Sequence, residues 1–479
     1  MAELQQIPLG GAGKNYNSKK SRELISNLLA EGNADGTYRT VKDAAGLTEV
    51  TDQSASGATR SNLFINSGFM YAVIGDRLFR FDAFFVATNL GLVGGAAPIR
   101  ARIFANSVPG DNQIFILNGI GQGFVFTNGA GLVQVVDPDF FATVAGDVLS
   151  ERGWFVREDT NEVFGSNISN FNAYDPLTFL SAESNPDNVR QLIAKKSALW
   201  VLGSRSVEYF QRITDVTVPL RSVIGASKER GIAAVDSLAE AGERFCWFAD
   251  DNTVRMIEGQ QMTKISDLEF ELLVRGDGTP NFPGFTVTDD AFGFFVDGPV
   301  HKIYYLTFPT EGYTWGYDLA TGMTHERASE GLGHWRIGSA TLFNNKLYGG
   351  DILNGKIYEM DQGNKTEDGA IMKRVLVTPP ISALVDWTLP LLELEMEVGQ
   401  VTDPTLEPVM LVEYTKDGGN NYVSHQPVSL GNFGELRKRV PMRQFGRIVR
   451  HADFALRLTI TDDVRVQFYG LYADIELDG

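Results

Sequence analysis

Phe69-Met70-Tyr71-Ala72-Val73-Ile74, then Gly75-Asp76, then Arg77-Leu78-Phe79-Arg80-Phe81 reads as two strands and the turn between them. The first run is apolar and β-prone and the second alternates polar with apolar. Glycine at the first turn position is the chemistry of a two-residue type II′ hairpin. The plan returns at Ala198-Leu199-Trp200-Val201-Leu202, turn Gly203-Ser204, strand 205–210, and more loosely at 245–248, turn 250–252, strand 253–257. Further copies occupy 302–306 with 314–319 and the turn 320–322, and 340–343, turn Asn344-Asn345, 346–348, then 355–361. Weaker ones lie at 113–117 with 123–126 and at 153–156 with 163–164.

Hairpins recurring at roughly 40 to 50 residues suggest propeller blades. A single hairpin cannot bury both faces, whereas a ring of four-stranded blades can, leaving only short edges. The expected fold is all-β, with an irregular β-propeller-like domain over 61–361. An irregular segment over 1–60 precedes it, in which 21–30 reads as a short amphipathic helix capped by Ser21 and stopped near Gly32. A polar linker over 362–372 leads to a β-sandwich-like domain over 373–479. Within that domain 391–398 alternates, and 409–414, 454–460 and 466–472 read as strands around a turn at Asp417-Gly418-Gly419. A tandem of β-sandwiches is the alternative.

With 479 residues the chain has room for two or three domains. A hydrophobic share of 43% supplies a sizeable core, and 50 glycines suit many tight turns rather than long helices. The lone Cys246 sits in an apolar run and is expected as a buried core thiol, which fits assembly in a reducing cytoplasm. The polar first twenty residues do not resemble a signal peptide, and no run reaches the ~20 apolar residues of a membrane span, so a soluble protein is expected. A net charge of -18 argues against a sequence-reading nucleic-acid binder and against an anionic membrane surface.

Most signatures of chemistry fail. Gly10-Gly11-Ala12-Gly13-Lys14-Asn15 resembles a phosphate loop, but Pro8 stands where its first glycine belongs and Asn15 replaces the metal-holding Ser or Thr. Gly119-Ile120-Gly121-Gln122-Gly123 opens no helix. His301, His325, His334, His425 and His451 form no metal-ligand spacing, and His451 with Asp453 lacks a nucleophile motif. The pairs Asp250-Asp251, Asp289-Asp290 and Asp462-Asp463 read as turn residues before they read as a glycosidase's two carboxylates. No catalytic residue, metal or cofactor is expected. The exception to the acidic background is Arg437, Lys438, Arg439, Arg443, Arg447 and Arg450. These residues fit either a solvated strand edge guarded against pairing or a contact with a subunit or partner; the contact is expected with an acidic neighbour before DNA.

Three islands carry a resemblance. Ser181-Ala182-Glu183-Ser184-Asn185-Pro186-Asp187 with Gly203-Ser204-Arg205-Ser206-Val207-Glu208-Tyr209-Phe210 resembles the "AES-x-PD … GS-x-x-(I/V)EYF" stretch of podovirus packaged-DNA stabilisation proteins. Lys228-Glu229-Arg230-Gly231-Ile232-Ala233 is similar to the segment that follows there. Asp417-Gly418-Gly419-Asn420-Asn421-Tyr422, Arg437 to Arg439, Phe445-Gly446-Arg447 and 454–458 are similar to that family's ending, and Gln6-Ile7-Pro8-Leu9 to its opening. Phe248 to Ile257 and the loops near 270–297 do not match.

The resemblance implies a non-enzymatic tail hub or nozzle of a short-tailed phage. Such a protein forms a homo-hexameric ring below the portal and its adaptor ring, closes the channel after packaging, and carries tail spikes, fibres or needle proteins. It also conducts double-stranded DNA without sequence-specific binding, and meets the host envelope only indirectly. It would reside in the virion tail after assembly in the host cytoplasm. The acidic charge then suits a channel face that is acidic or neutral, since each neutralised phosphate adds affinity and would retard sliding. A monomer soluble alone and a ring that needs a template are expected. The competing readings are a tail-associated polysaccharide hydrolase and a non-viral propeller scaffold.

Overall fold

The computed structural model describes residues 5–7, 9, 24–32, 39–108, 112–183, 185, 187–214, 218–223, 225–277, 282–401, 404–436 and 439–478. Gly75 takes φ 58° while Asp76 keeps a negative φ, and Ile74 pairs with Arg77, so the hairpin closes on the expected type II′ turn. Asn344 and Asn345 both take positive φ, 48° and 63°, and close their hairpin as a type I′ turn. At the second copy the turn moves one residue, to Ser204-Arg205, because Gly203 stays in the ladder opposite Val189.

Each hairpin is the middle of a set of four antiparallel strands. Such sets of four form blade 1 (64–92), blade 2 (102–134), blade 3 (146–181), blade 4 (189–222, with Lys228–Glu229 as a fifth strand), blade 5 (239–264) and blade 6 (292–326, the end of a 10-stranded sheet). The first strands of successive blades approach one another around a central axis, except between blades 4 and 5, where the Gln191 amide donates to the Val235 carbonyl at 3.0 Å; Phe64–Asn66 meets the first strand of the last blade. Blade 7 takes three strands from 337–361 and its outermost strand, Gly46–Asp52, from the other end of the chain. Among the described residues the propeller therefore has seven blades.

Burial explains the apolar runs. In Phe69–Ile74, Met70, Ala72 and Ile74 pack against Phe343 and Tyr348 of blade 7, while Tyr71 and Val73 pack against Ile103 and Ile116 of blade 2. A strand buried on both faces reads as continuous apolar sequence rather than as alternation. The same holds at the interfaces of blades 2 and 3, 3 and 4, 4 and 5, 5 and 6, and 6 and 7, each with its own cluster. With the clusters flanking blade 1, every neighbouring pair in the ring is joined, as closure requires.

The sandwich has its own core around Trp387, Leu392, Met410, Phe454 and Leu458. Among the described residues of 1–60 strands replace the irregular reading, and 24–30 is not helical; Ser21 lies outside the described residues. Leu24–Ser26 and Leu28–Gly32 are strands, one in each sheet of the sandwich, because Asn27 sits between them at φ 56° and breaks any helix. The chain thus enters the sandwich first, crosses to blade 7, and returns. The stretch 362–372 is packed rather than free: Thr366–Glu367 joins the edge of blade 7 and Glu367 is buried. Among the described residues one α-helix occurs, Leu268–Arg275, in a region read as loop; Asp267 caps it by accepting from Phe270 N–H at 2.8 Å.

Candidate functional site

The strand Asp386–Met396 carries the basic cluster along its outer edge. Val440–Met442 pairs with Leu392–Leu394, and Arg447–Ile448 pairs with Trp387–Thr388. Arg447 meets Asp386 at 2.8 Å, and the Arg450 N–H donates to the same carboxylate at 2.8 Å. Arg439 meets Glu393 at 3.4 Å, towards the strand's other end. The side chain of Arg443 is exposed, and its carbonyl oxygen lies 2.6 Å from Nε2 of His425. Arg437 and Lys438 lie outside the described residues. The arginines therefore form a row along a sheet edge rather than one focus.

The row stands at the far side of the sandwich from the propeller. In its sheet the order runs from Leu28–Gly32 through Arg39–Asp43 and Gln467–Asp478 to Asp386–Met396. The near side holds a network of buried charge. The Asn27 side-chain amide donates to the carbonyls of Ala328 and Lys373, both at 2.8 Å, so one residue fastens blade 6, the chain start and the sandwich. Arg374 meets Asp43 at 3.0 Å, and Asp43 also accepts from the Val466 N–H at 2.6 Å. Arg327 lies over the Trp335 ring at 4.4 Å and meets Glu367 at 3.4 Å.

His301 joins the same seam. Its Nδ1 is 2.7 Å from Asp318 and its Nε2 3.3 Å from Glu31, which also pairs with Lys42. The hydrogen bond to Asp318 lifts the imidazole above its ordinary value despite burial. His325 is opposite in character: burial pushes it down to about 3, and it lies 2.9 Å from the Tyr305 hydroxyl as a neutral ring. A 10-stranded sheet, with blade 6 at one end, runs through Leu24–Ser26 into the sandwich, so seam and strands together make one body.

The propeller axis is lined by Arg100, Arg102, Asp147, Asp236 and Glu240 around a cavity of about 460 Å³. Arg102 meets Asp236 at 3.0 Å, and Arg100 donates to the Gly338 carbonyl at 2.6 Å. Burial, with Glu240 nearby, lifts the Asp147 carboxyl to about 7. The cavity is far too small for a duplex, so the propeller's own axis is no DNA conduit.

The remaining motifs resolve into structure. Gly119 and Gly121, at φ 84° and 86°, turn the chain between Ile114–Leu117 and Gly123–Thr127. Asp251 pairs with Arg230 at 3.0 Å and Arg255 at 2.7 Å, and Asp462 accepts from the Val409 N–H at 2.8 Å. His301, His325 and His334 are buried, His425 is half-buried and His451 is exposed. Gly10 to Asn15 lie outside the described residues. Among the described residues no three His, Cys, Asp or Glu side chains gather as metal ligands would.

The middle stretches singled out by resemblance meet at one place, the turn of blade 4's central hairpin. Asp187 accepts from the Arg205 N–H and the Ser206 hydroxyl, and Lys228–Glu229 pairs with Ser206 and Val207. Pro186 lies outside the described residues.

The comparisons agree with this architecture. The family model described as Bacteriophage P22 Gp10, beta-propeller, matches residues 5–365, and that described as Bacteriophage P22 Gp10, beta-sandwich, matches 373–476. The sequence matches no curated protein. Among solved structures the chain is similar to a streptogramin B lyase, at 12% identity and TM-score 0.43, covering 66% of this chain and 97% of that one. It is also similar to BamB from Moraxella catarrhalis, at 12% identity and TM-score 0.40, covering 75% and 98%. A propeller and a sandwich matched in the same order over nearly the whole chain place it in the podovirus packaged-DNA stabilisation family, the P22 Gp10-type phage tail proteins that stabilise packaged DNA.

Proposed function

We propose that the protein is a tail hub or nozzle subunit that works in a homo-hexameric ring below the portal and its adaptor ring. The ring retains the packaged genome, anchors spikes, fibres or needle proteins, and conducts DNA during ejection. The observation that carries this reading is the match of both domains to one family of phage tail proteins. The stiff junction supports it. A plug that resists the pressure of packaged DNA needs domains that do not swing, and a sheet continuous across the two domains meets that demand.

The DNA path lies between subunits, since the propeller axis holds only the small cavity described above. Its wall is acidic or neutral, in keeping with the net charge of -18, so that the duplex slides. The Arg439 to Arg450 row serves contact with acidic protein, off the DNA path.

Particles assembled without this chain are expected to package DNA and then lose it, read as nuclease-accessible genome and light particles in a density gradient. Full retention of DNA by such particles would sink the proposal. Electron microscopy of the native tail tests the wall, where a continuous basic lumen would contradict the sliding argument.

A further inference from the structure

Two exposed apolar patches stand at opposite ends of the molecule. The first is the outer edge of blade 3, where Leu177 is 67% exposed and Phe179 44% on the strand Asn170–Ser181. Val136, 85% exposed, lies beside them, because Asp137 accepts from the Tyr174 N–H at 3.2 Å. This patch is acidic: Asp137, Asp139 and Asp175 surround it, with the buried Arg152 near Asp175. The second is the far edge of the sandwich, where Leu384 is 80% exposed, Val449 60% and Leu477 63%. Leu477 pairs with Trp387, and the His451 N–H donates to the Ala383 carbonyl, which brings the three together. This patch holds charge of both signs: Arg447 pairs with Asp386 at 2.8 Å and Glu476 adjoins Leu477, while Arg450 lies within it and Arg443 beyond; among the described residues no carboxylate pairs with the side chain of Arg443 or Arg450.

We infer that these patches are the two halves of one heterologous contact, the blade 3 edge of one copy against the sandwich edge of the next. Monomers seldom leave large apolar side chains clustered in water, and here the guanidinium groups of Arg443 and Arg450, which no carboxylate of the sandwich edge pairs, complement Asp137, Asp139 and Asp175 around the other cluster. Placement supports the same partner. The sandwich grows from the outer edges of blades 6 and 7, and blade 3 lies across the ring from them, so the patches sit at the two ends of a long body. Different patches at opposite ends join copies head to tail, and such a contact closes into a ring when its rotation permits. A second copy of this chain is therefore the occupant of each patch. The inference rests on the proposed ring and adds which surfaces build it.

The test uses particles carrying full-length variants. With Cys246 buried, Leu177→Cys together with Val449→Cys introduces the accessible thiols. Mild oxidation is expected to give a ladder of covalent multimers ending in a closed species, while either substitution alone gives monomer. A dimer from one single variant would mean a patch facing itself, and a crosslink to another tail protein would mean a different occupant; each overturns the inference. Arg447→Glu with Arg450→Glu is expected to reduce incorporation at least tenfold, and Asp139→Lys with Asp175→Lys on the same chain to restore most of it. Loss without restoration overturns the pairing. An amine-reactive crosslinker on wild-type tails separates the two levels. Multimers with that reagent but none through the cysteine pair would remove only the patch assignment, whereas no multimers at all would remove the ring.

Discussion

Asp187 holds Ser206 in a clasp: one carboxylate oxygen accepts from the Ser206 hydroxyl at 2.9 Å, and the other from the Arg205 N–H at 2.7 Å and the Ser206 N–H at 3.2 Å. The clasp fastens the approach to blade 4 onto the turn of its central hairpin. Lys228–Glu229 closes over the same turn, and a Cβ on Gly231 would stand 2.2 Å from the Arg205 nitrogen. The stretches that look most family-like are thus a structural fastening rather than a reactive site. Asp187→Ala removes three acceptances at a partly exposed site and is expected to cost about 1–3 kcal/mol. Gly231→Ala meets backbone and is expected to cost about as much or more. Urea denaturation of both variants checks this, and unchanged midpoints would contradict it.

The two histidines of blade 6 are expected to act on stability with opposite sign. His301 has a raised folded value, so its contribution is whole below its unfolded value of about 6.5 and fades as pH rises through the folded one. The penalty of His301→Gln should therefore be larger at pH 6 than at pH 9. His325 is held near 3 in the fold, so unfolding takes up a proton between that value and about 6.5, and stability falls with acidification at up to about 1.4 kcal/mol per pH unit. His325→Gln should flatten that acid limb whatever its cost at neutral pH. Thermal midpoints from pH 4 to pH 9 read both slopes.

Asp43 and Arg374 are buried together at the seam, so removing one partner should hurt more than removing both. Arg374→Met leaves Asp43 with only Lys365, 3.5 Å away, as a cation and is expected to cost about 3–5 kcal/mol, whereas Asp43→Leu with Arg374→Met should recover part of that. The double-mutant cycle in urea decides it; simple additivity would show that the pair is not coupled.

What the sequence disclosed follows from which contacts are local. The central hairpins were legible because both their faces are buried and their turns carry Gly or Asn at positive φ. Outer strands such as Gln261–Lys264 were not, being short, polar and exposed. Gly46–Asp52 was missed because its partner, Lys356–Asp361, lies some three hundred residues away and nothing local marks closure. The Ser21 to Ala30 stretch had a helix-like pattern that two sheets of the sandwich override. The basic cluster was visible as composition, but its spread along one strand, towards Asp386 at one end and Glu393 at the other, depends on pairing that composition does not encode. The apolar partners of that edge, Leu384 and Leu477, lie far from it in sequence and gave no signal.

Cys246 supplies a probe of unfolding. The thiol is fully buried against Tyr304 and neighbouring rings, and burial pushes it well above its ordinary value. It should resist a thiol reagent in native buffer and react stoichiometrically in denaturant. Rapid native labelling would mean that blades 5 and 6 part readily.

Removing the first 60 residues should do far more than trim an appendage. Gly46–Asp52 is the outermost strand of blade 7 and buries Leu47 between blades 6 and 7, so its loss leaves a three-stranded blade and an open edge. The same deletion takes Ile25, Leu28 and Val41 out of the sandwich core and Asn27 and Asp43 out of the seam. The fragment 61–479 is expected to be insoluble or to melt at least 10 °C below the full chain, and a fragment beginning at 373 should fail to fold alone. A synthetic peptide spanning 39–54 should bind the truncated propeller and restore part of its stability, because the ladder it completes is antiparallel and its register is fixed by Leu47. A truncated chain that melts like the full one would show that propeller closure does not depend on this strand.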